Sequence, residues 1–248
     1  QRNEHNVCDI YFSSSEKPGM VTYRPENSSL SHSDITGGSA TVKAVSDETY
    51  RLTGIPVGGP YTLTIGSECY EHIYVGDLWI LAGQSNMEGC AKLSRRDFDF
   101  IPREDVRALY LCNNWAAARP SLHNLGSSFY QVHILLGGTP KPDWWGAGPG
   151  LSFALSMEAY TGVPQGLICC AHGGTNLAEH WNPRYKDEGP HKSLYAAMVT
   201  RVQENGNRVR GMFWYQGCSD AEELLHDKYT DNMMDFVDAC RRDIAEDL

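Results

Sequence analysis

The apolar run Leu78–Ala82 leads directly into Gly83-Gln84-Ser85-Asn86-Met87. A run of that length suits a buried strand, and a serine at its carboxyl end stands at a sheet rim with its hydroxyl facing the crevice. A helix starting there aims backbone N–H groups at a developing oxyanion. The nucleophile elbow G-x-S-x-G is not matched, because Met87 stands where its second glycine belongs. Taken alone, Ser85 reads equally well as a turn residue. Two further strand ends add to it. After Gly166–Ala171 comes His172-Gly173-Gly174-Thr175-Asn176, whose glycine pair lets backbone approach a ligand closely. After Met212–Tyr215 comes Gln216-Gly217-Cys218-Ser219-Asp220, which brings an amide side chain. A hydroxyl, a flexible N–H loop and an amide donor are the inventory of acyl transfer.

The elements that must position these groups follow from the patterning. Residues 1–75 read as a small β-rich module. Val7–Phe12, Ala40–Val45, Tyr50–Leu52 and Tyr61–Ile65 are short and rich in β-branched or aromatic residues. Gly37-Gly38 and Gly58-Gly59-Pro60 punctuate them. Residues 76–248 alternate strands with helices. Leu78–Ala82, Val106–Leu111, Gly166–Ala171 and Met212–Tyr215 are apolar on both faces, as strands covered on each side are. Helices are predicted over Gly150–Tyr160 and Ser193–Glu204. A third is predicted from Ser219, with Ser219 as its cap and Glu222 three residues on. Tyr229, Met233, Phe236, Val237 and Cys240 then recur at helical spacing as core. The pattern predicts an open α/β sheet, with ligand beyond the carboxyl ends of its strands. Residues 113–149 hold Trp115, Trp144 and Trp145 without sustained period and read as a loop over the site, its aromatics placed to stack on a sugar.

Composition excludes several partners. The net charge is −10, and no basic cluster exceeds the pairs Arg95-Arg96 and Arg241-Arg242, so nucleic acid lacks a footprint. No apolar run approaches the ~20 residues that cross a bilayer. The eight cysteines form no C-x-x-C pair, and no metal site is expected. Cys169-Cys170 reads as buried thiols, whereas Cys8 and Cys69 stand where a disulfide would staple the first region. Asn27-Ser28-Ser29 is a glycosylation sequon.

The segment Gly76-Asp77-Leu78-Trp79-Ile80-Leu81-Ala82-Gly83-Gln84-Ser85-Asn86-Met87-Glu88 closely resembles the nucleophile block of the sialate O-acetylesterases. These are SGNH hydrolases related to acetyl xylan esterases. The likeness continues through Ile55-Pro56-Val57-Gly58-Gly59-Pro60-Tyr61, Gly166-Leu167-Ile168, Gly173-Gly174-Thr175 with Trp181, and Trp214-Tyr215-Gln216-Gly217. It spans about residues 50–240. The resemblance implies a flavodoxin-like three-layer sandwich that removes acetyl groups from sialic acid or a related sugar through an acyl-serine. It makes Ser85 the nucleophile, with its own N–H, the Gly174 (or Gly173) N–H and the Gln216 side chain as the oxyanion hole. Gln84, Asn86, Gly173, His180 and Trp181 are the expected substrate contacts. No cofactor is implied. The expected location is secreted, periplasmic or lysosomal, with any export signal either removed or outside the given sequence.

Two departures from the family pattern qualify the expectation. Many relatives carry Glu after Gln-Gly, where this chain has Cys218, and a thiol cannot orient an imidazolium as a carboxylate does. The family takes its histidine from an Asp-x-x-His block, and none follows Gln216. The base is therefore expected from a segment beyond Leu248 or from a second chain, with the C-terminal part of the fold missing here. Two other readings fit the same residues: a catalytically weak carbohydrate-binding protein on this scaffold, and an acetyl xylan esterase.

Overall fold

A computed structural model describes residues 7–14, 18–26, 37–46, 48–222 and 225–244. The sequon at Asn27 lies outside them. The chain divides into two compact units, one of residues 1–77 and 157–165, the other of residues 78–156 and 166–248.

The first unit is built on six strands: β1 (Val7–Ser13), β2 (Val21–Pro25), β3 (Gly38–Ala44), β4 (Thr49–Pro56), β5 (Gly58–Ile65) and β6 (Glu68–Val75). They form one sheet in the order β1-β4-β3-β2-β5-β6, antiparallel at every pairing. Val21, Leu52, Ile55, Tyr61 and Leu63 are its buried core. Alternation places Leu52 and Tyr50, or Tyr61 and Leu63, on one face. Strands β2 and β6 escape the sequence reading because Arg24 and Pro25, and Glu68, Glu71 and His72, dilute their apolar signal. Gly58-Gly59-Pro60 opens β5 rather than forming a turn. Gly59 has φ +125°, and a Cβ there would lie 2.7 Å from the Ile73 carbonyl oxygen, so glycine accommodates an irregularity in the β5–β6 register. Cys69 is a free thiol whose sulfur lies 3.7 Å from the Thr64 hydroxyl, and the Cys8 side chain falls outside the described positions.

In the second unit, β7 (Asp77–Gly83), β9 (Val106–Leu109), β10 (Trp115–Ala117), β12 (Gln165–Cys169) and β13 (Gly211–Tyr215) form a sheet in the order β10-β9-β12-β7-β13. A separate ribbon pairs β8 (Ala91–Lys92) with β11 (Trp145–Ala147). The helices are α1 (Ser85–Glu88), α2 (Arg95–Phe98), α3 (Val132–Leu135), α4 (Pro149–Thr161), α5 (Leu194–Glu204), α6 (Cys218–Glu222) and α7 (Tyr229–Asp243). Side chains of β7 and β12 alternate between two cores. Ile80, Ala82, Ile168 and Cys170 pack with Met198, Val202, Phe236 and Cys240 of α5 and α7. Leu81, Leu167, Cys169 and Ala171 pack with Ala154, Leu151 and Phe153 of α4. Both faces are covered, which is why these runs are apolar throughout. Cys169 and Cys170 are buried free thiols.

The strand order departs from the flavodoxin-like expectation. In that order the first strand lies between the second and third in chain order. Here β7 lies between β12 and β13, the last two. Residues 113–149 are also more regular than their composition suggests: they contribute β10, α3 and β11. Trp115 is fixed at the sheet edge, its ring N–H donating to Asn205 Oδ1 at 2.8 Å.

Three histidines are buried in this unit: His123, His133 and His172. His133 and His172 stack, with their Nδ1 atoms 3.0 Å apart. Burial is the main cause that pushes His172 down to about 4, His123 to about 3 and His133 well below its ordinary value. In the window between these values and ~6.5, the unfolded chain binds more protons than the folded one. Each histidine therefore removes up to about 1.4 kcal/mol of stability per pH unit as pH falls below ~6.5. Thermal melts should show a level Tm above neutrality and a decline from about pH 6.5 toward pH 4. A Tm constant across that range would contradict the burial of neutral imidazoles.

Candidate active site

Three adjacent strand ends meet around Ser85. Strands β7 and β13 run parallel with Gly83 opposite Tyr215. On the other side, Cys170 N–H bonds Leu81 O at 2.9 Å and His172 N–H bonds Gly83 O at 3.0 Å, so β7 and β12 advance in the same direction. Gly83 has φ +135°, and a Cβ would lie 2.2 Å from the Tyr215 carbonyl oxygen. Only glycine allows that approach. The chain then turns at Gln84 into α1, whose first residue is Ser85. Met87 and Glu88 N–H both return to Gln84 O at 2.9 Å. The N–H groups of Ser85 and Asn86 have no such partner in a helix this short. Ser85 and Asn86 are half-buried, and the Asn86 amide oxygen accepts from the Cys90 thiol at 3.3 Å.

The Gln84 side chain is turned into the protein. It is buried, and its Oε1 accepts from Gly217 N–H at 3.0 Å, Ser219 N–H at 3.2 Å and Gln216 Nε2 at 3.2 Å. Its Nε2 donates to the Ser219 hydroxyl at 3.2 Å. Ser219 thus lies inside α6 and receives this bond instead of capping the helix. The expectation of a substrate contact at Gln84 is corrected to that of a tie between strand ends.

Gln216 sits beside the serine turn, but its amide is occupied. Nε2 faces Gln84 Oε1, Thr175 O at 3.0 Å and the Asp220 carboxylate, while Oε1 is buried without a partner among the described residues. Two hydrogens and three acceptors leave no donor for an oxyanion in this geometry. Asp220 is buried and also accepts Leu177 N–H through both oxygens at 3.1 Å. No spacing rule singles it out, because its partners are backbone and a glutamine.

Of the glycine pair, Gly173 packs against Ser85: a Cβ there would lie 3.5 Å from Ser85 Cβ. Its N–H donates to the Glu88 carboxylate. Gly174 is exposed, has φ +71°, and faces open space. Trp181 is wholly buried, its ring N–H bonds the Thr175 hydroxyl at 2.9 Å, and its ring meets Trp214 edge-on. It belongs to the core and not to a pocket wall. His180 is half-buried, with Nδ1 3.2 Å from Asn176 N and 3.1 Å from Asn176 Oδ1. His172 turns Nδ1 to His133. His226 is exposed beside Asp227. Among the described residues no histidine hydrogen-bonds the Ser85 hydroxyl, and no three His, Cys, Asp or Glu side chains converge as a metal site. Cys218 is exposed. A cleft nearby is lined by Met87, Glu88, Ser121, Leu122, Gly146 and Leu151 among others, but not by Ser85, Gly174 or Gln216. Trp144 is 49% exposed, with Lys92 Nζ 5.6 Å from its ring.

Residues 75–248 match the family model described as carbohydrate esterase, sialic acid-specific acetylesterase. A probable carbohydrate esterase of Arabidopsis thaliana is 30% identical over 197 residues, which cover 71% of this chain and 67% of that protein. The solved structure of that Arabidopsis protein superposes with a TM-score of 0.51 at 25% identity, covering 68% of this chain and 69% of its own. A carbohydrate acetylesterase of Xanthomonas citri shares the fold, with a TM-score of 0.60 at 21% identity over 98% of this chain. This chain spans 54% of that larger protein. With most of its length matched by the family model, the chain belongs to the sialic acid-specific acetylesterase family of carbohydrate esterases.

Proposed function

We propose that this protein hydrolyses O-acetyl groups from sialic acid or a related acetylated sugar, with Ser85 as nucleophile. The observation that carries the reading is the packing at the rim: Gly173 backbone lies against Ser85, and Gly174 beside it opens to solvent. The Ser85 hydroxyl attacks the acetyl carbonyl carbon, its proton passes to a base, and the sugar leaves as an alcohol. Water then cleaves the acetyl-serine to acetate. The Ser85 and Gly174 N–H groups are the oxyanion donors in this reading, and Asn86 borders the substrate. Gln216 is a positioning residue, since its amide already joins Thr175, Asp220 and Gln84. The base must come within hydrogen-bond reach of Ser85. The reading assigns it to an imidazole outside the described residues or on a partner. The net charge of −10 favours a neutral or weakly charged acetylated sugar and slows, without forbidding, encounter with an acidic one such as sialic acid.

A second reading, a carbohydrate-binding protein with weak catalysis, is favoured by one observation: no described histidine reaches Ser85. Turnover of acetylated sialic acid and acetylated xylan fragments, compared with Ser85→Ala, separates the two. The esterase reading expects acetate release that Ser85→Ala abolishes while Tm is unchanged, because a rim serine adds little to packing. Binding without release, or release that survives Ser85→Ala, would refute it. Gln216→Ala should lower both kcat and stability, the latter by about 1–3 kcal/mol, because buried partners lose their bonds. A fall in kcat of about 10²–10³ with stability intact would instead identify Gln216 as an oxyanion donor.

A further inference from the structure

Behind the serine turn lies a buried charged cluster that the acyl-transfer scheme does not use. Glu88, the last residue of α1, is 4% exposed. One of its oxygens meets Lys141 Nζ and the other accepts the Gly173 N–H. Lys141 arrives from the segment between α3 and β11, is itself 15% exposed, and also donates to Gly89 O at 2.9 Å. His123 closes the cluster, with Nδ1 3.1 Å from Glu88 O. Its Nε2 is buried without a partner among the described residues, so the ring is neutral with its proton on Nδ1.

We infer that the Glu88–Lys141 pair is the positioning element of the oxyanion loop. The inference rests on the serine-esterase reading above. Three facts lead to it. Glu88 is three residues from Ser85 in the same single helical turn, so its carboxylate is rigidly tied to the nucleophile. The N–H it receives belongs to Gly173, whose backbone already packs against Ser85. Spending the Gly173 N–H on a carboxylate removes it as an oxyanion donor and leaves the next amide, Gly174, on the open side. A carboxylate accepts from an amide more strongly than a neutral oxygen does. Lys141 sets an opposite charge directly against this carboxylate in a buried place, where an unpaired charge would be costly. The cluster therefore fixes the distance between nucleophile and oxyanion donor, a spacing whose loss by ~1 Å costs about 10²-fold in rate. Room is tight as well: a Cβ on Gly173 would stand 2.8 Å from Glu88 Oε2.

The test uses the intact protein with Glu88→Gln, Lys141→Met, the double variant and Gly173→Ala, against Ser85→Ala. Glu88→Gln keeps the shape while removing the charge, and its Tm is measured beside its activity because Lys141 loses its counter-charge. It should lower kcat about 10²-fold with KM unchanged within about twofold. Lys141→Met should lower kcat similarly, and the double variant should be no worse than either single one. Independently of turnover, the Gly173 amide proton should resonate far downfield and move upfield in Glu88→Gln, while the Gly174 amide becomes broadened. Unchanged kcat in Glu88→Gln, or a Gly173 amide that does not shift, overturns the inference. Loss of activity matched by an equal loss of folded protein in every variant also overturns it, leaving the pair a stabilising contact only. Should Ser85→Ala retain full activity while the Gly173 amide still responds to Glu88, the serine reading fails and the contact is real but not catalytic.

Discussion

The Gln84 side chain is the contact on which the arrangement of this site depends. A buried amide at the end of β7 collects the N–H groups of Gly217 and Ser219 and returns a bond to the Ser219 hydroxyl. These partners belong to the turn and helix that follow β13, so one side chain sets the end of β7 against the start of α6. Each N–H left unpaired in that buried place would cost about 1–3 kcal/mol. Gln216 and Asp220 extend the tie to Thr175 and Leu177, beyond β12. The three strand ends are thereby joined through side-chain amides and a carboxylate. Ser85 sits between them with little freedom of its own.

Strand order makes that tie possible. Because β7 lies between β12 and β13, residues just past all three carboxyl ends fall within one side-chain length of each other. The glycines at the ends follow from the same crowding. Gly83 lies so close to Tyr215 that a Cβ would overlap its carbonyl oxygen, and Gly173 stands against both Ser85 and Glu88. Backbone is brought near backbone, and the polar side chains fill the remaining hydrogen bonds.

Much of this was legible in the residues and some of it was not. The apolar runs at Leu78–Ala82 and Gly166–Ala171 announce doubly covered strands, since every side chain must be buried on one face or the other. Three strand ends were readable as the place where Ser85, Gly174 and Gln216 were expected to meet, whereas it is Gly173 that lies against Ser85 and Gly174 faces open space. The tasks of Gln84, Gln216 and Trp181 were not. Motif position says where a residue lies, while its hydrogen-bond partners decide what it does. The partners here are backbone groups and residues far away in sequence, such as Ser219 for Gln84. Glu88 and Lys141 escaped for the same reason, being 53 positions apart, a separation that no periodicity marks. Strands β2 and β6 were hidden by charged and proline residues, and β10 and β11 by their three-residue lengths.

The central claim is that Ser85 is a nucleophile held in reactive geometry by the Gln84 tie. The direct measurement is the rate at which a fluorophosphonate labels the Ser85 peptide, followed by mass spectrometry, in the native protein and in Gln84→Ala under conditions where both are folded. The account predicts a single adduct at Ser85 in the native protein and labelling slowed about 10²-fold in the variant, as misplacement of a reacting group implies. Equal labelling rates, or an adduct at another residue, would contradict it.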